Sequence, residues 1–87
     1  MWFERYITRV AGVQGGQPIL SGTRTPVQTV AVLYHVTYPG DREEVARALG
    51  HLQLDHIDAA LAYYDHHRPE IVAYINENQM AFDALHA

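Results

Sequence analysis

The side chains that could do chemistry in this chain are few and poorly convergent. There are six histidines and no cysteine, so thiolate zinc sites and disulfides are excluded from the outset. His51 and His56 stand five apart and His66 and His67 are adjacent, and no pair has the i, i+4 spacing that sets two imidazoles on one helical face. The spacing therefore argues against a metal site. His66 and His67 are instead expected to meet the negative end of the helix they terminate. Ser21 has no base or nucleophile elbow around it, and Asp65-His66 orients nothing unless folding brings a nucleophile to it. These residues predict neither an enzyme nor a bound cofactor. Thr23 and Arg24 could hold a phosphate or carboxylate beside a helix start, because arginine presents a bidentate fork. The plainer reading pairs Arg24 with a carboxylate that fixes the turn. Tyr63 and Tyr64 suit packing, with one hydroxyl reaching solvent or a subunit interface, better than base stacking.

What must position these groups is the run Gly15-Gly16-Gln17-Pro18-Ile19-Leu20-Ser21-Gly22-Thr23-Arg24-Thr25-Pro26-Val27. Its glycines and prolines predict a short extended piece over Gln17 to Leu20, entered by a turn at Gly15-Gly16 and left by a turn at Gly22. A helix should follow directly. Thr25 reads as its N-cap, Pro26 as the first helical residue and Gln28 as the third member of a capping box. A phosphate cradle is not indicated, since neither P-loop nor dinucleotide-binding glycine spacing is present and the chain has no lysine.

The pattern Gly16-x-Pro18-x-Leu20-x-Gly22-Thr23-Arg24-x-Pro26-Val27, with Leu52-x-Leu54-x-x-Ile57-x-Ala59-Ala60-Leu61-Ala62-Tyr63-Tyr64 downstream, resembles the domain-of-unknown-function 433 family. The resemblance runs from about Ile7 to about Ile75. It implies a homeodomain-like helix-turn-helix with a short N-terminal β element. It also implies kinship with VapB-like antitoxins, hence a toxin protein as partner and operator DNA as a second target. The family usually has Thr or Ser where this chain has Gln53, which leaves that helix with a weaker cap.

Length and charge bound the rest. Eighty-seven residues make one domain, and a chain this short buries only about 60–65% of its unfolded surface, a deficit that a homodimer would relieve. No apolar run approaches the roughly 20 residues of a membrane span, and Met1-Trp2-Phe3-Glu4-Arg5 does not begin like a secretory signal, so a cytoplasmic protein is expected. The formal charge of −4 leaves only a local patch to bind a polyanion.

Taken in order, residues 3 to 10 are rich in aromatic and β-branched types and predict a strand that pairs with Gln17 to Leu20, giving a β element over about 3–22. From Pro26 to about Tyr38 the first helix is apolar nearly all round, so one side should meet a partner. Asp41 caps a second helix, with Glu44 three residues on and Val45, Leu49 and Leu52 as its stripe. A tight Gly50–Gln53 connection follows, with Leu52 and Ile57 as a hydrophobic staple. The third helix should run from Leu54 to His67 with Ile57, Leu61 and Tyr64 inward, closing a helical core over about 25–67. Pro69 should push Arg68 out of helical geometry and start a fourth helix over about 69–85, with Ile71, Ile75, Phe82 and Leu85 as its stripe. The polar run Asn76-Glu77-Asn78-Gln79 should fray that helix or dock it on a partner.

The expected architecture is thus all-α, of three or four helices, with Asp41–Leu49 supporting, Gly50–Gln53 turning and Leu54–His67 reading. Asp55, His56, Asp58 and Ala59 would enter the major groove, and Arg42, Arg47 and Arg24, with Arg5 and Arg9, would meet phosphates. Two carboxylates in that set predict weak or absent DNA binding by the isolated protein. Val27, Val32, Leu33, Val36, Tyr63 and Tyr64 are the candidates for a dimer or partner interface. The rival to the antitoxin reading is a dimeric protein-interaction module of the same shape that binds no DNA.

Overall fold

The computed structural model describes residues 1–86, apart from the side chains of Phe82 and His86. It is mostly helical, with one two-stranded antiparallel sheet near the N-terminus. The elements are β1 (Ile7–Thr8), β2 (Ile19–Leu20), α1 (Val27–Val32), α2 (Arg42–Ala48), α3 (Leu54–His66) and α4 (Arg68–His86).

The expected strand over residues 3 to 10 shrinks to β1, because Trp2–Tyr6 forms a 3-10 turn. In a strand, Phe3 and Tyr6 would point to opposite faces, whereas 3-10 geometry aligns residues three apart. Phe3 is thereby wholly buried and Tyr6 packs beside it on the core. The expected pairing does form, Ile7 opposite Leu20 and Thr8 opposite Ile19.

Behind β2 the chain doubles back. Thr23 N–H donates to Leu20 O (3.1 Å) across Gly22, whose φ of 79° is the left-handed value glycine tolerates best. Leu20 N–H then donates to Thr25 O (2.9 Å) and Val27 N–H to Pro18 O (3.0 Å), so Thr25 and Pro26 lie in an extended arm against β2. This pairing overrides the capping box: Pro26 is the N-cap, with no side-chain cap bond. Thr23 does the local side-chain work instead, donating from Oγ1 to Leu20 O (2.8 Å) and accepting from Thr25 N–H (3.0 Å).

The first helix also departs from regularity. After Val32 it widens into π geometry over Leu33–Thr37, with Tyr38 N–H donating to Leu33 O (2.7 Å). In such a turn residues five apart align, which brings both Leu33 and Tyr38 onto the core and leaves Val36 71% exposed. Asp41 caps α2 as expected, accepting from Glu44 N–H (3.0 Å), while the Glu44 carboxylate turns to Arg47 rather than back to the cap.

The third helix is the pillar of the molecule. It packs against α1, the N-terminal 3-10 turn, α2, α4 and β1. Its inward face is Ile57, Ala59, Ala60 and Tyr63, while Leu61 and Tyr64 are half-buried flanks. The alanines let two neighbours approach the same helix closely, which a Leu61 and Tyr64 ridge would prevent. The break before α4 falls at His67 (φ −130°, ψ 37°), and Arg68 is already helical. Of the expected stripe on α4, Ile71 is buried, Ile75 packs on the core and Leu85 is 83% exposed. Phe82, placed in that stripe by the sequence, lies outside the described side chains. α4 is helical through the polar run of residues 76–79.

Candidate functional site

The segment from α2 to α3, expected as a helix-turn-helix, must be judged by what α3 leaves uncovered. The connection closes through two consecutive left-handed residues, Gly50 (φ 86°) and His51 (φ 62°), and Leu52 N–H donates to Ala46 O (3.2 Å). Asp55, Asp58, Ala62 and Asp65 follow at spacings of three, four and three on the side of α3 away from its buried residues. That open face is acidic. Asp58 is held by Arg42 at 2.6 Å, and Asp65 by Arg68 at 3.1 Å. Ala59, expected in a DNA groove, is wholly buried. His56 is half-buried with its ring 5.2 Å from Tyr6, and its Nδ1 faces inward with no hydrogen-bond partner among the described residues.

The arginines expected at phosphates are mostly engaged. Arg42 and Arg47 pair with Asp58 and Glu44. Arg9 donates to Glu70 (2.5 Å) and to the Tyr63 hydroxyl (3.0 Å), and that hydroxyl donates to the other Glu70 oxygen at 3.1 Å. The cluster ties β1 to the α3–α4 corner. Burial, reinforced by the Glu70 hydrogen bond, pushes the Tyr63 phenol above its ordinary range, and the Glu70 carboxylate raises Arg9 further. Both groups stay in the forms that hold the corner shut.

Arg24 is exposed and pairs with no carboxylate among the described residues, so it does not fix the turn as expected. Nor do Thr23 and Arg24 form an anion cradle. The Thr23 hydroxyl is occupied, Pro26 has no N–H, and Val27 N–H is spent on Pro18. The paired histidines at the C-terminal end of α3 lay their rings on aromatic neighbours, His66 on Phe3 (5.1 Å) and His67 on Tyr63 (4.2 Å). Among the described residues no three His, Asp or Glu side chains gather as a metal site would require.

A different surface emerges between α1 and α4. Gln28 is only 4% exposed, and its amide links two distant segments: Nε2 donates to Gln17 Oε1 (2.5 Å) and Oε1 accepts from Asn78 Nδ2 (2.7 Å). The sequence offered this glutamine as the distal partner of a capping box; no spacing within the helix marks its link to Asn78. Beside it lies an open cleft of about 330 Å³ lined by Gln28, Thr29, Val32, Leu33, Ile75, Asn78 and Gln79, with no charged residue in the lining. Of the expected interface residues, Val32 and Leu33 line this cleft and Val36 is exposed at the far end of the same helix. Val27 is wholly buried, and Tyr63 packs on the core with 9% of its surface exposed. Tyr64 is half-buried between His35 (5.4 Å) and the Arg68 guanidinium (5.3 Å).

Comparison with known proteins agrees with the fold. A crystal structure of a DUF433 member protein from Anabaena variabilis ATCC 29413 superposes with a TM-score of 0.72 at 25% identity, covering 86% of this chain and 72% of that one. No curated protein matches. The family model for DUF433, a protein of unknown function, matches residues 7–64, which spans β1, the hairpin arm and all of α1 to α3 up to Tyr64, and the chain belongs to that family.

Proposed function

We propose that this chain is an antitoxin-like protein-interaction module, a cytoplasmic, non-enzymatic homodimer whose target is a protein. In this reading α2 and α3 keep a homeodomain-like helix-turn-helix shape but do not read DNA. The observation that carries it is the state of α3: neighbours cover its sides, and the face left open presents Asp55, Asp58 and Asp65. A recognition helix needs an open face whose field does not repel phosphate. The resemblance of the motif-bearing stretch to VapB-like antitoxins supports a protein partner, and the uncharged cleft between α1 and α4 supports contacts made by packing rather than charge.

The test is a titration of the purified protein against random duplex and its own promoter region, at two salt concentrations. Weak, unselective binding that vanishes near about 150 mM salt is expected. Nanomolar, promoter-selective binding there would restore the DNA regulator. Light scattering after size exclusion should give about twice the 9.8 kDa chain mass.

A further inference from the structure

The face formed by α1 and α4 is uncovered, and its charges have an order. Along α4, Arg68, Val72, Ile75, Gln79 and Asp83 recur at spacings of four, three, four and four, which is one stripe of a helix. The stripe runs from a cation at its N-terminal end, through Val72 and the cleft residues Ile75 and Gln79, to an anion at its C-terminal end. Val72 is 36% exposed.

We propose that this face pairs with a second copy of the chain across a two-fold axis, α4 antiparallel to α4, so that Arg68 of each protomer meets Asp83 of the other. The inference rests on the homodimer of the preceding section and supplies its geometry. Three observations single out a second copy as the occupant. The charged ends of the stripe are self-complementary: reversing it about its centre between Ile75 and Asn76 sets Arg68 on Asp83, and brings Val72 opposite the uncharged Gln79. Two chains of net charge −4 repel over most of their surface, so they can meet only where carboxylates are absent or matched, and the cleft lining carries none. Nineteen residues of α4 extend about 28 Å, and at a width of about 20 Å where α1 lies alongside they make a face of about 560 Å² in projection, of the same order as the roughly 800 Å² per partner of a specific interface.

The polar groups along the face do not oppose this. Among the described residues the polar partner of Arg68 is Asp65, an exposed pair three residues away, with the guanidinium also 5.3 Å from the Tyr64 ring, and that of Asp83 is the Gln79 amide at 3.0 Å. Both polar contacts span no more than four residues, one across the α3–α4 corner and one within α4, and can be exchanged for the matching charge of the second copy. Antiparallel helices also bring opposite dipole ends together.

The experiment is a charge swap read by light scattering and by the concentration dependence of dimerisation. Asp83→Arg and Arg68→Asp should each weaken the dimer by about tenfold or more, and the double variant R68D/D83R should recover to within about threefold of the parent. Val72→Arg, which needs no partner charge to act, should also weaken it. Circular dichroism of each variant confirms that the fold persists. If the parent is a dimer and none of these variants changes its affinity, this face is wrong while the homodimer stands. If the parent is a monomer at all micromolar concentrations, the homodimer and this geometry fail together.

Discussion

The third and fourth helices are separated by His67 alone, yet they occupy opposite situations. Five neighbouring elements pack on α3, which spends its apolar residues inward and shows carboxylates outward, whereas α4 packs on α1 and α3 and keeps Val72, Met80 and Leu85 exposed. A helix that holds a core together has its best side chains already committed. A helix at the edge has them available for a second molecule. The position that a helix-turn-helix would give to DNA is here the pillar, and the helix with exposed apolar residues lies past the residues matched by the family model.

The sharpest way to break this contrast is to cut into each helix. Ile57→Ala should cost about 2–5 kcal/mol, because Ile57 is wholly buried in α3, the helix on which α1, α2 and the N-terminal turn all pack. Met80→Ala, at 71% exposure, should stay within about 0.5 kcal/mol. Urea melts of the two variants measure the difference, and equal losses would remove the distinction between pillar and edge. The next largest effect lies in the hairpin arm that feeds α1. Gly22→Val should cost about 1–3 kcal/mol through backbone strain alone, since a Cβ there meets nothing within 4 Å while φ is 79°. Gly22→Ala, with no β-branch, should cost less, and an unchanged melt for both would mean the turn relaxes to another form.

How much of this was readable beforehand depended on whether the deciding interaction was local. The Gly22 turn, the Asp41 cap and the limits of α3 rest on contacts within four residues, and they appear where the spacing places them. Thr25 failed as a cap because a hairpin to Pro18 and Leu20 competes for the same backbone. Residues 2 to 6 abandoned the strand because Phe3 and Tyr6 are drawn to one side by α3. The π turn, and the choice of Tyr63 over Tyr64 as the inward aromatic, depend on which helix lies across the core. The Gln17–Gln28–Asn78 chain joins residues 50 positions apart and has no local signature.

A moderate effect connects the two helices. Tyr63→Phe removes the hydroxyl that Arg9 and Glu70 share and should cost about 1 kcal/mol at neutral pH. Its pH dependence has a definite sign. Because the folded phenol titrates above its unfolded value near 10, the folded state holds more protons in strongly alkaline solution, so stability is fully present below about pH 10 and falls as pH rises beyond it. The parent should therefore lose stability faster than the Phe variant above pH 10, by chemical denaturation at fixed temperature. Parallel slopes would show that the phenol is free to ionise in the fold.

The smallest expected effect bears most directly on function. Asp55 and Asp58 sit on the open face of α3, Asp58 in an exposed pair with Arg42, and neither supports the core. Replacing both by Asn should change stability by no more than about 1 kcal/mol, the range of surface ion pairs and first-turn dipole contacts. It also frees Arg42 and relieves the chain of two negative charges. If α3 were a reading head held back only by its carboxylates, the double variant would gain selective affinity for one duplex over another. We expect instead a slight rise in binding that is equal for random and promoter DNA and lost as salt increases, the mark of counterion release without base contacts. Buried Ala59 and inward-facing His56 are the reason: removing charge from the rim does not turn the interior of a helix toward a groove. Selective binding by the double variant would overturn this contrast between α3 and α4 more decisively than any loss of stability, because it would place a working recognition surface on the pillar.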